Sequence, residues 1–454
     1  MMKKRSYDLT EGSILKSLLL FTVPVVFALL LQAMYGAVDL MVVGHFAATP
    51  DVSGVATGGT IMQVVNHVVT GLAMGITIIV GQKLGEKKPE NAGKAIGAGI
   101  FMFIIFTVLL MLLMIFGAGF MASLMHAPEE AFTETVRYIR ICGIGSVFVV
   151  AYNLLGSIFR GMGDSTTPLI TVAVACVLNI LADLLFVCVF GLGAAGAALA
   201  TVLAQAFSVI ASLFMIRRKP LPFKFSVKDI KFDKKLIGTE LKLGVPVALQ
   251  EFLVGFAVLV LQSIVNSIDL SSSAAMGVGE KVCVFIMLVP MAYIQSMSAF
   301  TAQNFGASRH DRARKALGWG IITSAVFGLF TFWLTFFHGE LLARIFNEDP
   351  QVISRAVLYM KAYGIDCLIT PIVFCFLGFY NGYGKTMFVM IQSILCAFLV
   401  KIPVGYFMSK TENTNLFRIG LAIPISSFSQ VILCLGMFVI LQRKLKTQFS
   451  AETL

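Results

Sequence analysis

Charged residues are scarce in this chain. They make up 13% of its 454 residues, against about 25% in an average soluble domain, and that shortfall excludes an ordinary water-soluble fold. Metal and disulfide patterns are missing too. The eight cysteines (Cys142, Cys176, Cys188, Cys283, Cys367, Cys375, Cys396 and Cys434) stand singly in apolar stretches, with no CxxC among them. They read as small buried hydrophobes, not as a zinc site or a disulfide framework. No Ser/His/Asp set, phosphate loop or metal motif emerges. GLGAAG at 191–196 has GxGxxG spacing, but a dinucleotide fingerprint follows a soluble strand and carries an acidic residue about 20 positions on. Here the run before it is apolar and RRKP lies downstream, so it reads as a tight turn. SILK at 13–16 has Ser/Lys spacing without a second catalytic element. The reading is of a protein that is not an enzyme and needs no organic cofactor.

What the chain does have is apolar length. Hydrophobic residues reach 58% and gather in twelve runs, near 17–43, 54–81, 95–119, 136–159, 168–190, 195–216, 241–266, 275–300, 316–338, 356–380, 386–408 and 417–441. Each can cross a bilayer as a helix, which takes about 20 residues. The runs are continuous instead of alternating, which predicts helices and not a barrel. The expected fold is an all-α integral membrane protein with twelve transmembrane helices. Lys3, Lys4 and Arg5 precede the first run as in a signal peptide, but its apolar core is too long and no small-residue cleavage site follows. It reads as a retained span.

The net charge of +11 is unevenly placed. Most of the 35 Lys and Arg fall at the two termini and in the connections that follow even-numbered spans. That bias predicts a multi-pass protein of the cell membrane with both termini in the cytoplasm. The most basic connection, RRKPLPFKFSVKDIKFDKK at 217–235, reads as an anchor on anionic lipid, with no nucleic acid as partner.

The chain also repeats itself. GQKLGEKKPENAGKA (81–95) realigns with AQNFGASRHDRARKA (302–316) at an offset of 221, pairing Gln82 with Gln303 and Gly85 with Gly306. FTVPVV (21–26) matches LGVPVA (243–248), VRYIRICGI (136–144) matches VLYMKAYGI (357–365), and RGMGDS (160–165) matches NGYGKT (381–386). Six spans per half is an even number, so both halves run the same way through the membrane. The predicted organisation is a lobe of six spans at 1–216, a cytoplasmic connection at 217–235 and a second six-span lobe at 236–454. A pseudo-twofold axis along the membrane normal relates the lobes, with substrate between them, as in a transporter.

A few polar residues sit deep in this apolar chain. An Asp at the centre of a span costs roughly 2.5–3.5 kcal/mol, so Asp39 and Asp183 need a reason. Asn179 and Asp183 are four residues apart and share one helix face. With spans one and five running outward and span six returning, Asn179, Asp183 and Thr201 share the outer half of the membrane, with Asp39 at its upper edge. Two carboxylates, an amide and a hydroxyl suit a hard cation such as Na+. The carboxylates serve a proton equally well as a coupled pair, and both ions stay open. At offset 221 or 222, Asp39 maps to Val260 or Leu261, and Asp183 to Val404 or Gly405. The second half instead has Lys401, Glu251 and Asp366. Lys401 reads either as a buried ion-pair partner or as a snorkelling side chain. Gln63, Asn66, His67 and Thr70 follow one face of span two, and either line a cavity or hydrogen-bond between helices.

Taken together, LTEGSILKSLLLFTVPVV (9–26), QAMYGAVDLMVVGHF (32–46), FRGMGDSTTP (159–168) and VLNILADLLFVCVFGLGAAGAALAT (177–201) resemble the multidrug and toxic compound extrusion (MATE) family, closest to its DinF-like prokaryotic branch. The resemblance implies a two-lobed antiporter that uses Na+ or H+ to expel cationic amphipathic drugs, works as a monomer and confers drug resistance. It also implies a cation site at Asp39, Asn179, Asp183 and Thr201, and a bend of span one at Pro24, where a backbone hydrogen bond is missing. Glu251 and Asp366 do not sit in the pattern that some branches use in the second lobe, and stay outside the ion site. The alternative is a lipid-linked precursor flippase of the same superfamily. That would require a cavity rich in Arg and Lys, for which Lys401 is the chief intramembrane candidate.

Overall fold

The computed structural model describes residues 8–219, 221–223, 225–411 and 415–452. Lys3, Lys4 and Arg5, which contribute to the charge bias, lie outside them. Among the described residues the chain is helical, with no strand. The helices are α1 (Ile14–Phe46), α2 (Thr49–Gly85), α3 (Pro89–Phe116), α4 (Ala118–Leu124), α5 (Glu129–Ile144), α6 (Ser146–Gly161), α7 (Thr166–Asp183) and α8 (Gly193–Arg218). After the basic connection come α9 (Lys234–Asn266), α10 (Leu270–Gly306), α11 (His310–Arg344), α12 (Pro350–Gly382), α13 (Thr386–Cys396), α14 (Ile402–Ser409), α15 (Leu416–Gly420) and α16 (Ala422–Glu452).

Eleven stretches of the described residues are long and apolar enough to cross a membrane, and α5 with α6 makes a twelfth that is bent by 51°. The span expected near 136–159 is present and carries this bend. Its cause is local. A Cβ on Gly145 would lie 2.2 Å from Val202 Cγ2, so α8 crosses where the chain has no side chain, and a Gly-Ser pair gives way there. Two more spans contain a π-turn, Leu184–Val189 directly after α7 and Ala397–Lys401 between α13 and α14. Pro403, at the start of α14, lacks an N–H for the α-helical ladder, which accounts for the second. By contrast, α1 runs as one helix through Pro24.

Side chains that would be hidden in a soluble protein point outward, among them Leu20, Phe116, Phe120, Val189 and Phe407. This is the polarity expected of helices solvated by lipid. The described residues pack as two compact units. The first comprises Met1–Leu249, Ser298–Ala313 and Asn381–Gly384, and the second comprises Gln250–Met297, Arg314–Tyr380 and Lys385–Leu454. Packing therefore draws the ends of α10 and α12 into the first unit, although both helices belong to the second sequence repeat. The first unit has cores around Ile76, Phe103 and Phe159 and around Val43, Tyr138 and Ala197. The second is built around Leu261, Met276, Tyr359 and Met360.

Candidate functional site

Three helices of the first unit bring the oxygen-bearing residues together. Asp39 comes from α1, Asn179 and Asp183 from the last turns of α7, and Thr201 from α8. Asp39 is 5% exposed, and Asn179 and Asp183 are fully buried. The Asp39 carboxylate faces Asp183, Thr201 and Asn179, and the Thr201 hydroxyl donates to Asp39 Oδ2 at 3.0 Å. Asp39 Oδ1, both oxygens of Asp183 and both polar atoms of the Asn179 amide are buried with no hydrogen-bond partner. Unsatisfied buried polar atoms are rare and call for a reason; here five of them converge. All three oxygen-bearing side-chain types are hard donors, so the set fits a small hard cation or a proton.

The α7 helix gives way to its π-turn immediately after Asp183, a local irregularity often found beside functional groups. Asp51 at the start of α2 fixes the other side of the turn, because the Ala194 N–H that opens α8 donates to Asp51 Oδ1 at 2.8 Å. A Cβ on Gly193 would lie 2.1 Å from that same carboxylate oxygen, and Gly193 has φ +52°. Only glycine meets both demands. This contact fixes the register at which α8 presents Thr201.

Sequence reasoning missed the polar layer beside the cluster. Gln205 Nε2 donates to the Tyr35 hydroxyl at 3.2 Å, and Gln32 Nε2 donates to the Tyr152 hydroxyl at 3.0 Å. Tyr138 lies within Coulombic reach of Asp39 and Asp183. A signal for two of these residues was present. Tyr35 precedes Asp39 by four residues and Gln205 follows Thr201 by four, the same spacing that singled out Asn179 and Asp183.

The remaining candidates lie elsewhere. Asn66 accepts from Asn153 Nδ2 at 3.4 Å, and Thr70 Oγ1 donates to Asn153 Oδ1 at 3.0 Å, so this face of α2 bonds to α6. Gln63 and His67 are exposed. In the second unit Lys401 is half-buried at the end of its π-turn, within electrostatic reach of Asp366 and Glu280. Asp366 is 4% exposed and accepts from Thr370 Oγ1 at 2.7 Å, while the Tyr359 hydroxyl donates to Glu280. Glu280, an acid that the sequence reading did not single out, thus joins Asp366 in acting on Lys401.

Comparison with known proteins places the chain in a family. The MatE family model matches residues 24–185 and again residues 246–407, one copy per repeat. The chain is 28% identical to a probable multidrug resistance protein, YpnP, of Bacillus subtilis (strain 168) over 407 residues, covering 88% of this chain and 89% of that protein. It is 24% identical to the multidrug export protein MepA of Staphylococcus saprophyticus, with 90% of each chain covered. Among solved structures, an outward-facing multidrug resistance MATE family transporter of the MOP superfamily superposes with a TM-score of 0.91 at 17% identity, covering 98% of this chain and 100% of that one. A MATE structure in the bent conformation superposes with a TM-score of 0.89 at 16% identity, covering 99% and 100%. The two family-model matches together span well over half of the chain, and the protein belongs to the multidrug and toxic compound extrusion family of membrane transporters.

Proposed function

We propose that this protein is a cation-coupled multidrug exporter, an antiporter that moves cationic amphipathic compounds out of the cell in exchange for Na+ or H+. The observation that carries the reading is the cluster of unsatisfied buried groups on Asp39, Asn179 and Asp183 beside the Thr201 hydroxyl. Such groups cost several kcal/mol unless something compensates them, and an exchangeable cation or proton is such a compensation. The multidrug relatives at 24% and 28% identity support the substrate class.

In this reading, ion binding neutralises the carboxylates that α1 and α7 contribute. That changes which packing of the two helices is preferred, and so the affinity on the drug side. Pro24 supplies the weak point in α1, because the Leu20 carbonyl four residues earlier has no N–H to accept from. The deciding experiment is dye efflux from proteoliposomes under an imposed Na+ gradient and, separately, an imposed H+ gradient. One of the two gradients drives efflux in the unmodified chain, and Asp183→Asn abolishes it. Undiminished efflux by that variant would remove the cluster from the mechanism.

A further inference from the structure

The sequence repeat leaves one feature that ion coupling does not use. Gln82 and Gln303 are equivalent by the 221-residue offset, and so are Gly161 and Gly382. In the first packing unit, which holds all four, Gln82 Nε2 donates to the Gly382 carbonyl at 3.0 Å and Gln303 Nε2 donates to the Gly161 carbonyl at 3.0 Å. Each repeat thus caps a helix end of the other repeat. Gly161 closes α6 and Gly382 closes α12. Two residues beyond each, Gly163 (φ +87°) and Gly384 (φ +70°) turn the chain through the left-handed region. That ending leaves last-turn carbonyls without an intrahelical donor, and the glutamines fill the vacancy.

The backbones reciprocate as well. A Cβ on Gly85 would lie 2.0 Å from the Gln303 carbonyl oxygen, and one on Gly306 would lie 2.0 Å from the Gln82 carbonyl oxygen. The crossing of α2 with α10 is therefore closed to any residue with a side chain, twice over and by the same rule. Even the turns that follow agree, with Lys87 at φ +55° and Ser308 at φ +56°.

One element breaks the symmetry. The segment before α1 lies over the Gln303 arm alone. The Leu9 N–H donates to Gln303 Oε1 at 2.9 Å, which fixes the amide so that its NH₂ faces Gly161. Asn304 Nδ2 and Arg312 Nε hold the Leu9 carbonyl at 3.2 Å each, and Arg309 Nη1 holds that of Thr10 at 2.6 Å.

We propose that Gln82 and Gln303, each capping the other repeat's helix end, form a two-armed latch that closes the basic end of the spans, and that the strap Leu9–Gly12 locks the Gln303 arm. Opening that end separates α2 from α10 and breaks both arms together. The idea rests on the alternating-access part of the function proposed above and is independent of the ion site.

The test is electron–electron distance measurement on the full chain in lipid, with nitroxides at Lys88→Cys and Ser308→Cys. Both positions are exposed, whereas the eight native cysteines are buried or half-buried; the chain without added cysteines supplies the background. Gln82→Ala or Gln303→Ala raises the ratio of long to short distances by about fivefold each, the worth of one ordinary hydrogen bond. Leu9→Pro, which lacks the donor N–H, shifts it in the same direction. Gly306→Ala reaches the same state by a different route, forcing the helices apart sterically. Thr107→Val removes an internal α3 bond to the Phe103 carbonyl and leaves the distribution unchanged. If the unmodified chain shows both distances but none of the four latch variants moves their ratio, the latch is wrong while alternating access stands. A variant that runs as a monodisperse peak with unchanged distances counts against the latch, and Gly306→Ala decides the matter if a glutamine variant fails to fold.

Discussion

The two repeats build the same helix crossing from opposite chemistry. The family-model matches at 24–185 and 246–407 are displaced by 222 residues, which pairs Asp39, Asn179, Asp183 and Thr201 with Leu261, Lys401, Gly405 and Ile423. In the first unit the crossing of α1 with α7 faces a carboxylate with a carboxylate. In the second, α9 meets α14 with Leu261 packed on Gly405: a Cβ there would lie 2.5 Å from Leu261 Cδ1 and 3.7 Å from Ala422 Cβ. Leu261 and Ile423 are buried in one apolar cluster. A leucine over a glycine is therefore sufficient for this crossing, and the fold does not require the carboxylates. Their cost in the first repeat has to be explained by function.

The comparison breaks most sharply at Asp183. Asp183→Asn abolishes gradient-driven dye efflux, yet it removes a desolvated carboxylate with no hydrogen-bond partner. The variant is therefore expected to be more stable than the parent by about 1 kcal/mol, read as a higher melting temperature in detergent. Lost transport with lowered stability would mean that the carboxylate holds the fold, against the lesson of the second repeat.

The reverse exchange is next in size. Leu261→Asp, made together with Lys401→Met so that no ammonium stands at the position matching Asn179, places a carboxylate in an apolar cluster with no Asp183 counterpart facing it, and costs about 3 kcal/mol relative to Lys401→Met alone by the insertion scales. Melting of the purified variant measures this. A cost near zero would show that the second unit tolerates a buried charge, and the asymmetry would lose its meaning. A smaller effect is expected at Thr201. Thr201→Val deletes the 3.0 Å bond to Asp39 and raises the half-saturating concentration of the coupling ion about fivefold, with maximal efflux retained. Ile423→Thr, its mirror, leaves the ion dependence unchanged.

Much of this was legible in the sequence because bilayers impose coarse rules. Apolar length marked all twelve spans, and it said nothing of the bend in the fourth. A bend at Gly145 depends on Val202 approaching from another helix, and no local pattern records that approach. The π-turn after Asp183 left no mark in the composition of its span, whereas Pro403 was a signal, passed over, for the one before Ile402. The four residues read as a cation site do converge, because depth along a helix can be counted at a fixed rise per residue. Tyr35 and Gln205 were passed over because the sequence does not say which of its many uncharged polar side chains face the carboxylates. Glu280 was missed because the sequence does not say which acids of different spans come together.

The connections between the first two spans of each repeat give the finest version of the contrast. In the first, Asp51 accepts from a backbone N–H, that of Ala194 at 2.8 Å; in the second, Asp269 pairs with the Arg355 guanidinium and also accepts from the Ser272 N–H at 2.7 Å. The Arg355 contact, aided by the Ser272 N–H, holds the Asp269 carboxyl below the usual carboxylate range. A carboxylate whose folded pKa is lowered stabilises the fold above its unfolded pKa, near 3.9, and loses that contribution as pH falls through the lower folded value. With side chains 41% and 39% exposed, the pair is screened and contributes under about 1 kcal/mol. Asp269→Asn should accordingly lower the melting temperature slightly at neutral pH. The difference shrinks in about 1 M salt, where the screening length is about 3 Å, and vanishes toward pH 2. Asp51→Ala, which removes a helix cap worth about 1 kcal/mol, lowers it at either salt concentration. Equal salt sensitivity in the two variants would mean that these ends of the repeats are held by the same kind of interaction after all.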